Sequence, residues 1–183
     1  MNIDASRAAA LDALLDRQAI MDCLARYARA IDRHDTELLR TVYHPGAIDD
    51  HTMYVGPGTE FGPVVNEVHD QMWSAHQHYV TNVSIELDGD EAHVESYWLV
   101  AGRRRDGRGA DVAGGRYVDR FARRDGRWAI AARICVYEWA QDAEAMAVAL
   151  TQFPIGAQDH TDLSYMRPLV TDPDRLARLG KQG

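Results

Sequence analysis

At His76 the hydrophobic rhythm of the chain changes from a helical period to strict alternation, and it keeps the alternation through Trp139. This predicts four consecutive strands over 77–88, 91–105, 112–124 and 127–139. Asp88-Gly89-Asp90 and Arg124-Asp125-Gly126 have the chemistry of tight hairpin turns, and Arg105 to Asp111 forms a longer glycine-containing loop. Long strands joined in this way make an antiparallel meander, whose apolar face needs a cover. The preceding residues can supply one.

Residues 1–34 read as helix, with Asp4 or Ser6 as cap and Asp16 as the cap of a second segment. Ile20, Leu24, Tyr27 and Ile31 form one apolar stripe, with Arg26, Arg29 and Arg33 on or near the opposite face. Asp35 is placed to cap a short helix through Tyr43, burying Leu38, Leu39 and Val42, and His44-Pro45-Gly46 is expected to stop it. Ala47 to Tyr54 reads as a short strand or irregular crossing, followed by a Gly56-Pro57-Gly58 loop. A third helix over about 60–74 would bury Val64, Val65, Val68, Met72 and Trp73. Helices followed by a meander give an α+β class, with helices on one face of a curved sheet. The expected division is one domain over 1–140 and a tail over 141–183. Ala143 to Leu150 would form a helix, and an extended arm would run from Phe153-Pro154 past Gly156, Pro168 and Pro173.

Composition narrows the function classes. At 183 residues with a net charge of −8, the chain lacks the basic character of a nucleic-acid groove or of a surface for anionic membranes. Lys181 is the only lysine and lies two places from the end, which sets Schiff-base chemistry aside. Cys23 and Cys135 both fall among apolar neighbours, as buried thiols of a reduced compartment do. There is no basic start leading into an apolar core and no apolar run of membrane length, so the expected location is cytoplasmic.

Chemistry concentrates around His78-Tyr79-Val80-Thr81-Asn82, which opens the first long strand, and around Asp32 at the end of the first helix. Histidine can both take and give a proton near neutral pH. A carboxylate bonded to its second nitrogen would fix its tautomer. Asp32 could otherwise be a solvated helix-end carboxylate, although the helix dipole disfavours that place and so suggests a partner. His76 shares the strand face of His78, so a metal site with Asp49, Asp50, His51 or His69 comes into view; no familiar ligand spacing supports it. Tyr27 lies on the apolar stripe and could either pack or reach a substrate, with Tyr54 and Tyr43 as further candidates. Arg133 sits in an apolar strand and needs either a carboxylate, such as Asp119, or a ligand. Asn82 could join the same lining or serve a bulge. Trp73, Trp98, Trp128, Trp139 and Phe121 offer aromatic surface for core or substrate.

Tyr27-x4-Asp32, Asp35, His78-x-x-Thr81-Asn82, Gly115-x-Tyr117-x-Asp119, Asp125-Gly126-x-Trp128 and Arg133 before Trp139 together resemble the SnoaL-like branch of the nuclear transport factor 2-like superfamily. That branch holds scytalone dehydratase, lindane dehydrochlorinase and bile-acid 7α-dehydratase, and the resemblance covers about residues 10–140. It implies a conical α+β barrel, a curved and mainly antiparallel sheet wrapped around three N-terminal helices to enclose an apolar pocket. It also implies that Asp32 and His78 are the catalytic pair, with Tyr27 and Arg133 beside them. Tyr54, Asn82, Trp73 and Tyr117 are the expected substrate contacts. The dehydrochlorinases carry a lysine where this chain has Tyr27, which tilts the analogy towards loss of an oxygen leaving group.

The expected activity is a cofactor-independent lyase of the dehydratase type. It would act on a small, bulky hydrophobic aromatic or steroid-like substrate, without metal, nucleic acid or membrane, as a homodimer or homotrimer. Double-bond isomerisation and retro-aldol loss of formaldehyde are alternatives with the same machinery. A silent hydrophobic-ligand binder and a small subunit of a ring-hydroxylating dioxygenase are alternatives without it. Fold alone does not choose among these.

Overall fold

The computed structural model of the chain describes residues 3–51, 54–141, 154, 156–157, 159–175 and 177. Helix α1 (Ile3–Asp32) leads into α2 (Thr36–Arg40), strands β1 (Tyr43–His51) and β2 (Tyr54–Pro57), and helix α3 (Phe61–Met72). The meander follows as β3 (Trp73–Asp88), β4 (Glu91–Arg104), β5 (Ala110–Arg124) and β6 (Arg127–Ala140). Among the described residues, these six strands share one sheet in the order β2-β1-β6-β5-β4-β3, in which β1 and β6 pair in parallel and the other neighbours antiparallel. The edges β2 and β3 do not pair with each other, so the curved sheet stays unclosed.

The turns form as their chemistry dictates. Gly89 takes a positive φ in the β3–β4 hairpin, and Asp125 and Gly126 both do so between β5 and β6, as a tight two-residue turn requires. Burial alternates almost without fault along β4. Ile20, Leu24, Tyr27 and Ile31 of α1 pack against Trp98, Tyr117, Phe121 and Ile130 of the sheet in one core.

Three local expectations are corrected. Helix α1 runs unbroken through Asp16, whose carboxylate instead accepts hydrogen bonds from Trp128 Nε1 and Arg123 at 2.8 Å each. Helix α2 ends at Arg40, before His44-Pro45-Gly46; those residues lie inside β1, where Gly46 at φ +79° accompanies a register shift against β6. On α3 the buried positions are Phe61, Gly62, Val65 and His69, while Val64 and Met72 are exposed.

The tail helix expected over Ala143 to Leu150 lies outside the described residues. The described part of the tail lies on the outer sheet face. Leu169 packs on Val118, Ala132, Ile134 and Val136, and Asp162 takes a bidentate pair of 2.9 Å bonds from Arg116 of β5. No described helix is long and apolar enough to cross a membrane.

Gly115 marks the point of closest approach within the meander. A Cβ there would stand 2.0 Å from the carbonyl oxygen of Val136 and 2.7 Å from the Trp98 ring, at the place where the β5–β6 register shifts. Backbone cannot yield as a side-chain tip can. Gly115→Ala should therefore destabilise the fold by about 1–3 kcal/mol or more. Chemical denaturation of the two proteins measures this, and an unchanged midpoint would show that β5 and β6 do not approach as described.

Candidate active site

Helix α1 ends in a Schellman turn. Asp35 N–H donates to Ala30 O at 2.9 Å and His34 N–H to Ile31 O at 3.3 Å, with His34 itself at φ +52°. Asp35 then caps α2 by accepting from Leu38 N–H at 2.9 Å, as its spacing predicts. This double turn fixes Asp32 in the last turn of α1, facing the start of β3. There its carboxylate receives His78 N–H at 3.0 Å on each oxygen and lies 2.8 Å from His78 Nδ1. A carboxylate oxygen accepts, which makes Nδ1 the donor, and in a neutral ring so bonded Nε2 carries the lone pair. Both side chains are largely buried. The pair anticipated from sequence is assembled.

A histidine cluster continues from it. His76 lies with Nε2 3.4 Å from Ile31 O and 3.8 Å from Asp32 Oδ1. The His69 ring centroid is 4.5 Å from that of His76 and 5.4 Å from that of His78; the His34 centroid is 5.4 Å from that of His76. Trp73 walls the group, its ring 5.0 Å from His69, with Nε1 donating to Asp111 at 2.8 Å. Burial and then the neighbouring His78, His76 and His51 push the His69 pKa down to about 2. Burial and then His78 likewise lower that of His76. His69 therefore stays neutral across the working range.

A second polar group is fully buried under the sheet. Residue Ala131 is bulged out of the β5–β6 ladder, because Arg120 pairs with Ala132 whereas Phe121 pairs with Ile130. The extra residue flips the parity of β6. Ile130 faces inward, yet so does Arg133, directly opposite Asp119. Asp119 takes two 2.7 Å bonds from Arg133, so the carboxylate alternative for this arginine is the one realised. The guanidinium carbon also lies 4.1 Å from the Tyr27 ring centre and 4.0 Å from that of Tyr117. Burial opposes the Arg133 charge, but Asp119 overrides it and holds the group well above its ordinary pKa.

Beside this pair, Tyr43 donates to Asp49, and His51 Nδ1 stands 3.5 Å from the other Asp49 oxygen without hydrogen-bond geometry. Burial raises the Tyr27 pKa and keeps its hydroxyl protonated. Among the described residues, Tyr27 Oη, Asp49 Oδ1, His51 Nδ1, His69 Nδ1, Ser96 Oγ, Trp98 Nε1, Arg120 Nε and one terminal nitrogen of Arg133 are buried without a hydrogen-bond partner. Buried polar atoms are rarely left so unless a ligand or water meets them. Their concentration around Tyr27, Tyr117 and the histidines marks the inner site.

Two sequence candidates fall outside this group. Tyr54 Oη donates to Pro57 O at 2.7 Å, folding its hydroxyl back on its own loop. Asn82 is exposed at φ +48°, where β3 bulges against β4, so it serves the bulge alternative rather than the lining. Trp73 stands against the histidines and Tyr117 against Arg133. His34 escaped the sequence reading. Its only signal is its place between Asp32 and the Asp35 cap, which a Schellman turn requires to be left-handed.

The fold is α+β, a curved, unclosed sheet covered by helices, with a largely buried Asp–His pair at the helix–sheet junction. Residues 12–134 match the SnoaL-like domain family, and the chain belongs to that family. Among curated proteins none matches the chain. Solved structures similar to it include the hexachlorocyclohexane dehydrochlorinase LinA-type3 from Novosphingobium barchaimii LL02. That structure is 23% identical with a TM-score of 0.65, covering 72% of this chain and 92% of the other. A candidate scytalone dehydratase from Novosphingobium aromaticivorans DSM 12444 is 20% identical with a TM-score of 0.63, covering 70% and 88%. The Kfla4162 protein from Kribbella flavida is 19% identical with a TM-score of 0.64, covering 75% and 99%. At these identities the likeness is one of fold.

Arg133 and Asp119 give the site a stability signature. Asp119→Ala strands a buried charge and should cost about 3–5 kcal/mol, whereas replacing both residues with apolar ones should recover most of that loss. Denaturant midpoints of the single and double variants measure it. Equal losses in both would show that the pair does not act as a unit.

Proposed function

We propose that this protein is a cofactor-independent lyase of the dehydratase type, acting on a small hydrophobic ring compound. The observation that carries the reading is the triple hydrogen bonding of Asp32 to His78, which leaves Nε2 as the free basic nitrogen. A histidine with one nitrogen committed to a carboxylate is oriented and its imidazolium is stabilised once formed. His78 Nε2 takes a proton from carbon beside a carbonyl or aryl group. The electron pair of that C–H bond forms a carbon–carbon double bond, and the neighbouring C–O bond breaks. The departing oxygen gains a proton from Tyr27, or from the His78 imidazolium, and leaves as water.

Tyr27 suits the acid role because its hydroxyl is protonated, buried and without a hydrogen-bond partner. The unpartnered Arg133 nitrogen suits a developing oxyanion, since a donor fixed in advance in a dry site stabilises charge strongly. Tyr117 and Trp73 supply apolar surface for the ring. Membership of the SnoaL-like family, which includes dehydratases and dehydrochlorinases, supports enzyme activity of this cofactor-free kind.

A screen of cyclic alcohols with an activated neighbouring C–H, read by mass loss of water, supplies the substrate for the test. On that substrate, His78→Gln and Asp32→Asn should each lower turnover by about 10²–10⁴-fold, the usual worth of general acid–base assistance. Binding of a ketone analogue of the substrate, followed by calorimetry, should persist in both, because affinity rests mainly on apolar burial. Turnover surviving intact in both variants would make the pair structural. Binding without turnover in the parent protein would favour a ligand carrier.

A further inference from the structure

Three histidines beside the proposed catalytic pair have the makings of a cation site that the lyase reading does not use. His34 comes from the left-handed turn after α1, His69 from the last turn of α3 and His76 from β3. Each offers a ring nitrogen, and the three nitrogens lie within 4.8 Å of one another. We propose that His34, His69 and His76 together bind one divalent transition-metal cation of the zinc class.

Three observations support this. First, His69 is 8% exposed, and its Nδ1 has no hydrogen-bond partner although it is buried among the other rings. A buried imidazole nitrogen without a partner is costly in a packed interior, and a metal would satisfy it. Second, the chemistry of the donors is selective. Three neutral imidazoles suit zinc, cobalt, nickel or copper and not magnesium or calcium, which prefer oxygen. Third, negative charge stands close by, since an Asp70 oxygen lies 3.8 Å from His34 Nδ1, beyond hydrogen-bond distance. Nitrogens around a tetrahedral ion stand roughly 3.4 Å apart, given Zn–N bonds of about 2.0–2.1 Å. The three nitrogens, now within 4.8 Å of one another, would draw together by up to about 1.4 Å on binding one ion.

A second set, Asp32, His76 and His78, also meets the distance requirement. Its carboxylate and His78 already satisfy each other at 2.8 Å, and Asp32 further accepts the His78 N–H. Capturing a metal there would break these bonds, whereas the His34 set loses nothing comparable. The proposal does not depend on the lyase reading, since it concerns affinity and not turnover.

The test titrates chelator-treated protein with Co²⁺ and Zn²⁺, following cobalt d–d absorption and tryptophan fluorescence, which should respond because Trp73 adjoins His69 and His76. One equivalent should bind saturably, with zinc displacing cobalt and magnesium failing to compete. His76→Gln and His34→Asn should each weaken binding at least about tenfold, a change of about 1.4 kcal/mol per decade. Asn is chosen at 34 because it tolerates the left-handed backbone there, and a circular dichroism melt checks that each variant folds. His78→Gln should leave the affinity within a few-fold of the parent. Absence of saturable binding below about 1 mM, a free energy near −4 kcal/mol, would overturn the proposal. So would affinity lost in His78→Gln and Asp32→Asn but kept in His34→Asn.

Discussion

The Asp32 carboxylate holds the two halves of the molecule in register. It ends helix α1, and two donors of His78, a backbone N–H shared between both oxygens and Nδ1, tie it to the first strand of the meander. The helix dipole makes that position unfavourable for a negative charge. Hydrogen bonds to a charged group, worth about 1.5–3 kcal/mol each, offset that cost. The same contacts set the angle of the His78 ring.

The Schellman turn behind Asp32 propagates the constraint. Because the chain reverses at His34 and is capped again at Asp35, α2 and β1 follow in a set direction. Strand β1 can then pair in parallel with β6 and bring Asp49 and His51 beneath the sheet. On the other side of the core, the bulge at Ala131 turns Arg133 inward to Asp119 and the two tyrosine rings. Two polar centres thus sit in one apolar interior. One is built on the Arg133–Asp119 ion pair, and the other is a cluster of imidazoles with His69 Nδ1 left without a hydrogen-bond partner. Membership of the SnoaL-like family agrees with this architecture.

Much of the fold is legible in the sequence because periodicity and turn chemistry are local. The meander strands end within a few residues of their expected limits, the Asp35 cap forms, and the hairpin glycines take the φ values their turns demand. The Asp32–His78 pair was also legible, through a family resemblance that supplies a distance no single spacing can. What escaped depends on tertiary packing. Asp16 looks like a cap until Trp128 and Arg123 claim its carboxylate. Met72 fits a helical apolar stripe better than His69, yet the histidines of β3 give His69 a place to be buried. Parity along β6 and β3 cannot be counted without knowing the bulges at Ala131 and Asn82, and those bulges decide that Arg133 lines the interior and that Asn82 does not.

The central claim is that Asp32 holds His78 with Nδ1 protonated and Nε2 free to act as the base. Nitrogen NMR of selectively ¹⁵N-histidine-labelled, chelator-treated protein reads it directly, with the resonance assigned by its loss in His78→Gln. The account predicts a neutral His78 in the Nδ1–H form, with a proton slow enough in exchange to be observed and a population that shifts on Asp32→Asn. A His78 found in the Nε2–H form, or unchanged by Asp32→Asn, would contradict it.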